Sequence, residues 1–323
     1  MERRWLCWLL ALLGALVFRV FYTGWLAGFV LAGVLYLPLL GLLLSLPAVL
    51  AAKVELRPGW DRVERGGPAS WLVTGRSAWK LPLARVKVSV KTVNELNGLS
   101  DKTKKTWVLT GEGKSVSLPA PAEHCGLLTG RFSHVWARDC LGLFWLPLRR
   151  SGPARLWVEP APRSADLPPL PEEEAPGLRP RPGGGPGEDY DPREYRPGDP
   201  LSAIHWKLSA KRDELVTKET LETVKPLPLL TLDLFGDADT LDATLDLLAG
   251  ASGELLRLGR PHAVAWLDQE TAELRRLPVA GETDQRRCLE ALLSRRAPLT
   301  GRSVLDQADL GRSLHLKPGG GGI

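Results

Sequence analysis

Cysteine is scarce: among 323 residues only Cys7, Cys125, Cys140 and Cys288 carry a thiol. None stands in a CxxC pair or at a zinc-ligand spacing from a histidine, so no zinc module is expected. The four read as reduced, structural residues. A nucleophile elbow and a phosphate-binding loop are also missing. The glycine triplet Gly183, Gly184, Gly185 sits between prolines and does not open a helix after a strand. No nucleic-acid-binding module or tight Arg/Lys cluster is present. From Trp25 to Ala52 the chain has no charge at all.

That uncharged run follows another apolar stretch, Trp5 to Tyr22, whose one charge is Arg19. About 20 helical residues cross a bilayer core, so the second run suffices and the first nearly does. With Tyr22-Thr23-Gly24 as a turn, residues 1–52 read as a transmembrane helical hairpin, with Pro38, Gly41 and Pro47 placed to kink or shorten its second helix. A cleaved signal peptide is the alternative, and two apolar stretches in succession argue against it. Arg3 and Arg4 before the hairpin, and Lys53 and Arg57 after it, imply a multi-pass protein with both termini cytoplasmic.

The net charge of +5 conceals an asymmetry: residues 53–150 hold 17 basic and 8 acidic side chains, whereas residues 151–323 hold 22 and 28. The basic share follows the hairpin, where anionic headgroups would attract it. A mixed, solvated surface is the plainer reading, and nucleic acid is not expected as a partner.

Residues 53–159 alternate in short runs rich in Val, Thr and Trp, at 71–74, 85–93, 105–109, 116–118, 132–138 and 155–158. This pattern predicts a β-sandwich-like domain, with the valines of 85–91 on one face and Trp71, Trp79 and Trp107 in the core or an interface. His124 and His134 are separated by ten residues without a companion acid and read as surface or satisfied histidines. Residues 160–187 are rich in Pro, Gly and Glu and read as a linker.

Residues 188–225 are polar and dense in particular residue types. Pro197-Gly198 suits the centre of a type II turn, with Asp199 placed to accept backbone or Arg/Lys hydrogen bonds beside it. Residues 201–210 read as a helical turn or short helix and 215–217 as a strand. Tyr195, Ile204 and Trp206 could anchor the segment, with Arg193, Asp199 and Lys207 satisfying one another. From 226 to 297, strands at 227–235, 262–267 and 273–277 alternate with helices at 240–258 and 283–293, which predicts a parallel α/β sheet. Residues 298–323 read as a mobile tail.

Three features together resemble the DUF58 family of membrane-anchored bacterial proteins: the hairpin before a β-rich module, Asp139-Cys140-Leu141-Gly142-Leu143-Phe144, and a central signature. The signature residues are Arg193, Tyr195, Gly198, Asp199, Ile204, Trp206, Lys207, Ser209, Ala210 and Lys211. Ser202 stands where the family usually has Arg, and Lys211 replaces a common Arg. The resemblance implies a von Willebrand factor A-like α/β part, short here for a complete domain. Such folds often hold Mg²⁺ at a D-x-S-x-S turn. Here Asp233 matches, while Phe235 and Asp237 replace both serines, so Asp233 and Asp237 are weak metal candidates and no cofactor is expected.

The resemblance also implies a non-enzymatic, membrane-anchored scaffold working with a MoxR-type AAA+ ATPase in cell-envelope or stress-related assembly. Two alternatives remain: a hydrolase-type enzyme using Asp199, His205 and Lys207 as acid, base and cation, and a metal-dependent adhesion module at Asp233. Oligomeric state is not legible.

Overall fold

The computed structural model describes residues 2–76, 83–109, 115–162, 177–180, 190–224, 227–307, 310 and 313–317. The readings on Trp79, on the glycine triplet, on most of the linker and on the last six residues fall outside that set.

Helices α1 (Glu2–Phe21) and α2 (Trp25–Ala51) are both long and apolar enough to cross a membrane. The expected shortening at Pro38 and Pro47 does not occur, since α2 runs unbroken through both. Pro38 has no N–H to offer the carbonyl four residues back, that of Val34. The indole Nε1 of Trp8 on α1 donates to that carbonyl at 3.0 Å instead. The last turn of α2 leaves the apolar exterior: Ala48, Val49 and Ala52 join a buried cluster with strand residues.

Ten strands follow: β1 (Lys53–Pro58), β2 (Arg62–Glu64), β3 (Ser70–Arg76), β4 (Leu83–Asn94), β5 (Ser100–Leu109), β6 (Ser115–Pro119), β7 (Gly126–Arg138), β8 (Trp145–Pro147), β9 (Arg149–Arg150) and β10 (Ala154–Glu159). They form one sheet in the order β6-β3-β1-β9 and another in the order β2-β10-β7-β4-β5, with β8 also on β7. Alternation in β4 buries Val86, Val88 and Val90 and exposes Lys87 and Lys91. The cluster they join takes residues from both sheets, including Val54, Trp71, Leu118, Leu128 and Leu156. Each buried Leu or Val contributes about 1.5–3 kcal/mol relative to exposure. Trp71 is fully buried because its indole N–H reaches Thr92 Oγ1 at 2.9 Å, and Gly130 has no side chain to strike its ring.

The chain divides into two compact units, one of Met1–Arg163, Leu234–Ala249 and Arg286–Gly301, the other of Ser164–Asp233, Gly250–Gln285 and Arg302–Ile323. The stretch expected as one α/β part, 226–297, is thus shared between them. The second unit holds a small sheet, β11 (Gly177–Pro180), β13 (Val216–Val224) and β12 (Tyr190–Glu194), in that order. It also holds a four-stranded sheet in the order β16 (Leu274–Val279), β15 (His262–Leu267), β14 (Leu229–Leu232), β17 (Ser313–Leu316). The helices of this part of the chain are α4 (Ala238–Arg257) and α5 (Glu282–Leu293).

Two expectations are corrected here. The sheet is mixed, because β16 returns antiparallel to β15 across a short turn, which a parallel strand could not do. The expected mobile tail contains a 3₁₀ turn, Val304–Asp306, and strand β17, which pairs parallel with β14. Val304 and Leu310 are buried with Leu229, Ala263, Ala265 and Leu267.

Candidate functional site

The central segment of the second unit is where the sequence is densest in chemistry. Its turn closes through Asp199 N–H to the Arg196 carbonyl at 3.0 Å, with Gly198 at a φ of 111° that side-chain-bearing residues rarely adopt. Arg193 on β12 lays a two-pronged bond on Asp199, 2.9 Å to each oxygen, and its Nε reaches Glu219 on β13 at 3.2 Å. The Arg196 N–H adds a third donor to Asp199. Together the guanidinium and that N–H hold the Asp199 carboxyl below the usual carboxylate range.

The expected short helix is broken in two: a 3₁₀ turn at Leu201–Ala203, then α3 (Trp206–Arg212). Between them Ile204 is buried and bridges to Thr217. His205 caps α3, its Nδ1 accepting from the Leu208 N–H at 3.3 Å. Ser209 is buried, and its Oγ accepts from the Val216 N–H at 2.9 Å. Arg193, Gly198, Asp199, Ile204 and Ser209 therefore shape the segment.

Trp206 departs from its expected role as an anchor. It is 64% exposed and Leu201 is 68% exposed. Lys207, Ala210, Lys211 and Ser202 are exposed, and Tyr195 is half-buried. Lys207 is not the third member of the network with Arg193 and Asp199; that place is taken by Glu219, which pairs with Arg193.

Asp233, one of the two metal candidates, is occupied by protein groups. Ser303 Oγ donates at 3.1 and 3.0 Å, the Val304 N–H donates at 2.8 Å, and His315 Nε2 stands 3.5 Å away. Burial alone would raise its pKa, but these donors bring it below the usual carboxylate range. Asp237, the other candidate, accepts from the Thr240 N–H at 3.0 Å at the start of α4. Each carboxylate thus has a structural task.

In the first unit His124, expected to lack a companion acid, has one. Its Nδ1 lies 2.8 Å from Asp242 Oδ2 and 4.0 Å from Asp239. One ligand atom from each of the three lies within 4.8 Å of the others, a spacing that could hold a cation. Arg65 stands 3.7 Å from the same Asp242 oxygen, and Asp242 Oδ1 accepts the Cys125 N–H at 2.7 Å, so protein donors already neutralise the acid. A cavity of ≈ 460 Å³ beside His124 is lined by Asn97, Ser100, Asp101 and Glu123. No local motif signals this cluster, since His124 and Asp242 are 118 residues apart. Cys125 and Cys288 are buried; burial raises both thiols, Cys288 to about 12, so neither ionises near neutrality.

The loop Asp139–Phe144 also proves to have a definite task. Asp139 is fully buried, and its Oδ1 accepts the Phe144 N–H at 2.9 Å. The Cys140 N–H donates to Ser45 Oγ on α2, the Trp5 indole donates to the Leu143 carbonyl, and Leu141 occupies the space that Gly41 leaves open. The loop is a clamp on both helices.

No protein-family model matches the chain, and no curated protein does. Among solved structures, the CARDB domain of a Pyrococcus furiosus protein, determined in complex with di-metal ions, is similar at 20% identity over 33% of this chain and 89% of that one, with a TM-score of 0.24. The alkylpurine DNA glycosylase AlkC of Pseudomonas fluorescens, bound to DNA containing an abasic site analog, is similar at 16% identity over 42% of this chain and 40% of that one, also with a TM-score of 0.24. Likeness at that level carries no inference about this chain.

Proposed function

We propose that the protein is a membrane-anchored, non-enzymatic interaction protein of the DUF58 type, multi-pass with both termini cytoplasmic, whose central segment docks a partner protein. The supporting observation is the exposure of Leu201 and Trp206 on a segment whose backbone is fixed by Arg193, Asp199 and Ser209. A large aromatic held rigidly in water loses little entropy on binding and is the residue type that dominates interface energetics. The resemblance nominates a MoxR-type AAA+ ATPase as the partner. In this reading the two sheets of the first unit are a β-sandwich and the four-stranded sheet belongs to a von Willebrand factor A-like part without a resident metal.

The hydrolase alternative is weakened by what its residues already do: Asp199 is committed to Arg193, and the His205 ring caps α3. Binding of the detergent-solubilised protein to a purified MoxR-type ATPase, with and without nucleotide, tests the reading. Trp206→Ala should weaken it about 30-fold, the loss typical of an interface hot spot, without changing the melting temperature. No binding by the wild type under any nucleotide condition would refute that partner. Hydrolysis of acyl or phosphoryl substrates lost in His205→Ala would favour the alternative.

A further inference from the structure

Three arginines converge where the clamp meets the helix pair. Arg4 stands in the first turn of α1, and its Nη1 donates to the Leu141 carbonyl at 3.0 Å. Arg138 ends β7, pairs with Trp145 of β8, and carries its guanidinium 4.6 Å from the centre of that indole ring. Arg85 precedes Val86, whose partner across the sheet is Ala137, so the ladder brings Arg85 alongside Arg138. Burial, followed by the positive charges of Arg4 and Arg85, lowers the pKa of Arg138.

Asp139 is, among the described residues, the acid that acts on Arg138, one negative charge against three positive ones. Among the described residues no ion pair joins a carboxylate to Arg4, Arg85 or Arg138. The Nε of Arg138 is buried without a hydrogen-bond partner. Asp139, the acid that acts on Arg138, spends Oδ1 on the Phe144 N–H, and its Oδ2 faces Gly41.

The position of the cluster along the helices identifies the ligand. Ser45 bonds the clamp, and Ala48 and Val49 lie in the core of the first unit. The clamp also meets α2 at Gly41, so the part of α2 clear of it is residues 25–40, about 16 residues or about 24 Å, which sets the clamp near one face of a hydrocarbon core about 30 Å thick. Arg4 and the clamp mark one end of that length, the level at which lipid phosphates lie. Trp5 and Trp145 stand there too, as aromatics do at membrane boundaries. Guanidinium groups match phosphate oxygens in charge and in the geometry of their N–H forks.

We propose that Arg4, Arg85 and Arg138 form a binding site for the phosphate of an anionic phospholipid headgroup at the water boundary of the helix pair. The proposal rests on the membrane reading of α1 and α2.

Native mass spectrometry of the full-length protein, delipidated in detergent and titrated with phosphatidylglycerol, tests it. Arg85→Gln and Arg138→Gln should each weaken binding about fivefold, the contribution of one basic residue near an anionic surface. Exposed Lys102, changed to Gln, should have no effect, and phosphatidylcholine should not bind. Arg85→Gln leaves the Arg138–Trp145 stack intact and keeps the test valid if Arg138→Gln misfolds. Unchanged phosphatidylglycerol affinity in folded Arg85→Gln would overturn the site. Displacement of the lipid by an equal concentration of inorganic phosphate would assign the site to a soluble anion and overturn the lipid as its source. Failure of the membrane reading would show separately, as release of the wild type from membranes by alkaline carbonate.

Discussion

Asp139 combines deep burial with a single satisfied oxygen, so its contribution depends on the acceptor it supplies to Phe144. Asp139→Ala leaves that N–H without a partner and should cost about 1–3 kcal/mol. Asp139→Asn keeps an acceptor and should cost much less, and denaturant unfolding in detergent compares the two. His262 is likewise buried, its Nε2 2.8 Å from Ser252 Oγ. Burial lowers its pKa, partly offset by the Arg260 carbonyl. The unfolded chain therefore takes up a proton at higher pH than the folded one. Stability unaffected above the unfolded value of about 6.5 should fall as pH drops through it towards the folded pKa. His262→Gln should flatten that part of the stability-versus-pH profile measured by thermal unfolding. Asp199 has the same slope in a more acidic window: its support is complete above about 3.9 and is lost as pH falls through its lowered folded pKa.

The elements depend on contacts that local pattern does not display. Helix α2 survives Pro38 because Trp8 satisfies Val34, and it accepts the clamp because Gly41 leaves room for Leu141. Gly41→Val should push Leu141 out and destabilise the clamp by about 1–3 kcal/mol, visible as faster hydrogen exchange at Phe144. Strand β17 is the opposite case, with little pattern and a clear place in the sheet. Ending the chain after Gly301 removes β17 from β14 and takes Ser303 and Val304 from Asp233. The shortened protein should lose amide protection in Leu229–Leu232 and aggregate through the freed edge, whereas removal of a mobile tail would leave both unchanged.

Across the whole chain, the charge asymmetry is in part an internal complementarity of the first unit. Arg62 pairs with Glu159 and Glu290, and Arg65 with Asp242 and Asp246. Asp246 is fully buried, so Arg65→Leu strands buried acid and should cost about 3–5 kcal/mol in equilibrium unfolding. Sequence alone determined the elements whose signal is local: two apolar helices, the period-2 valines of β4, the run 262–267 that is β15, and the turn at Gly198. Propensity and hydrophobic periodicity act over a few residues, so such elements can be read without knowing their neighbours. Only the tertiary structure decided that His124 meets Asp242, that Asp233 is filled by Ser303 and Val304, and that Trp206 faces water. Those outcomes depend on which distant segments pack together, and a short polar residue has the same local pattern whichever partner it finds.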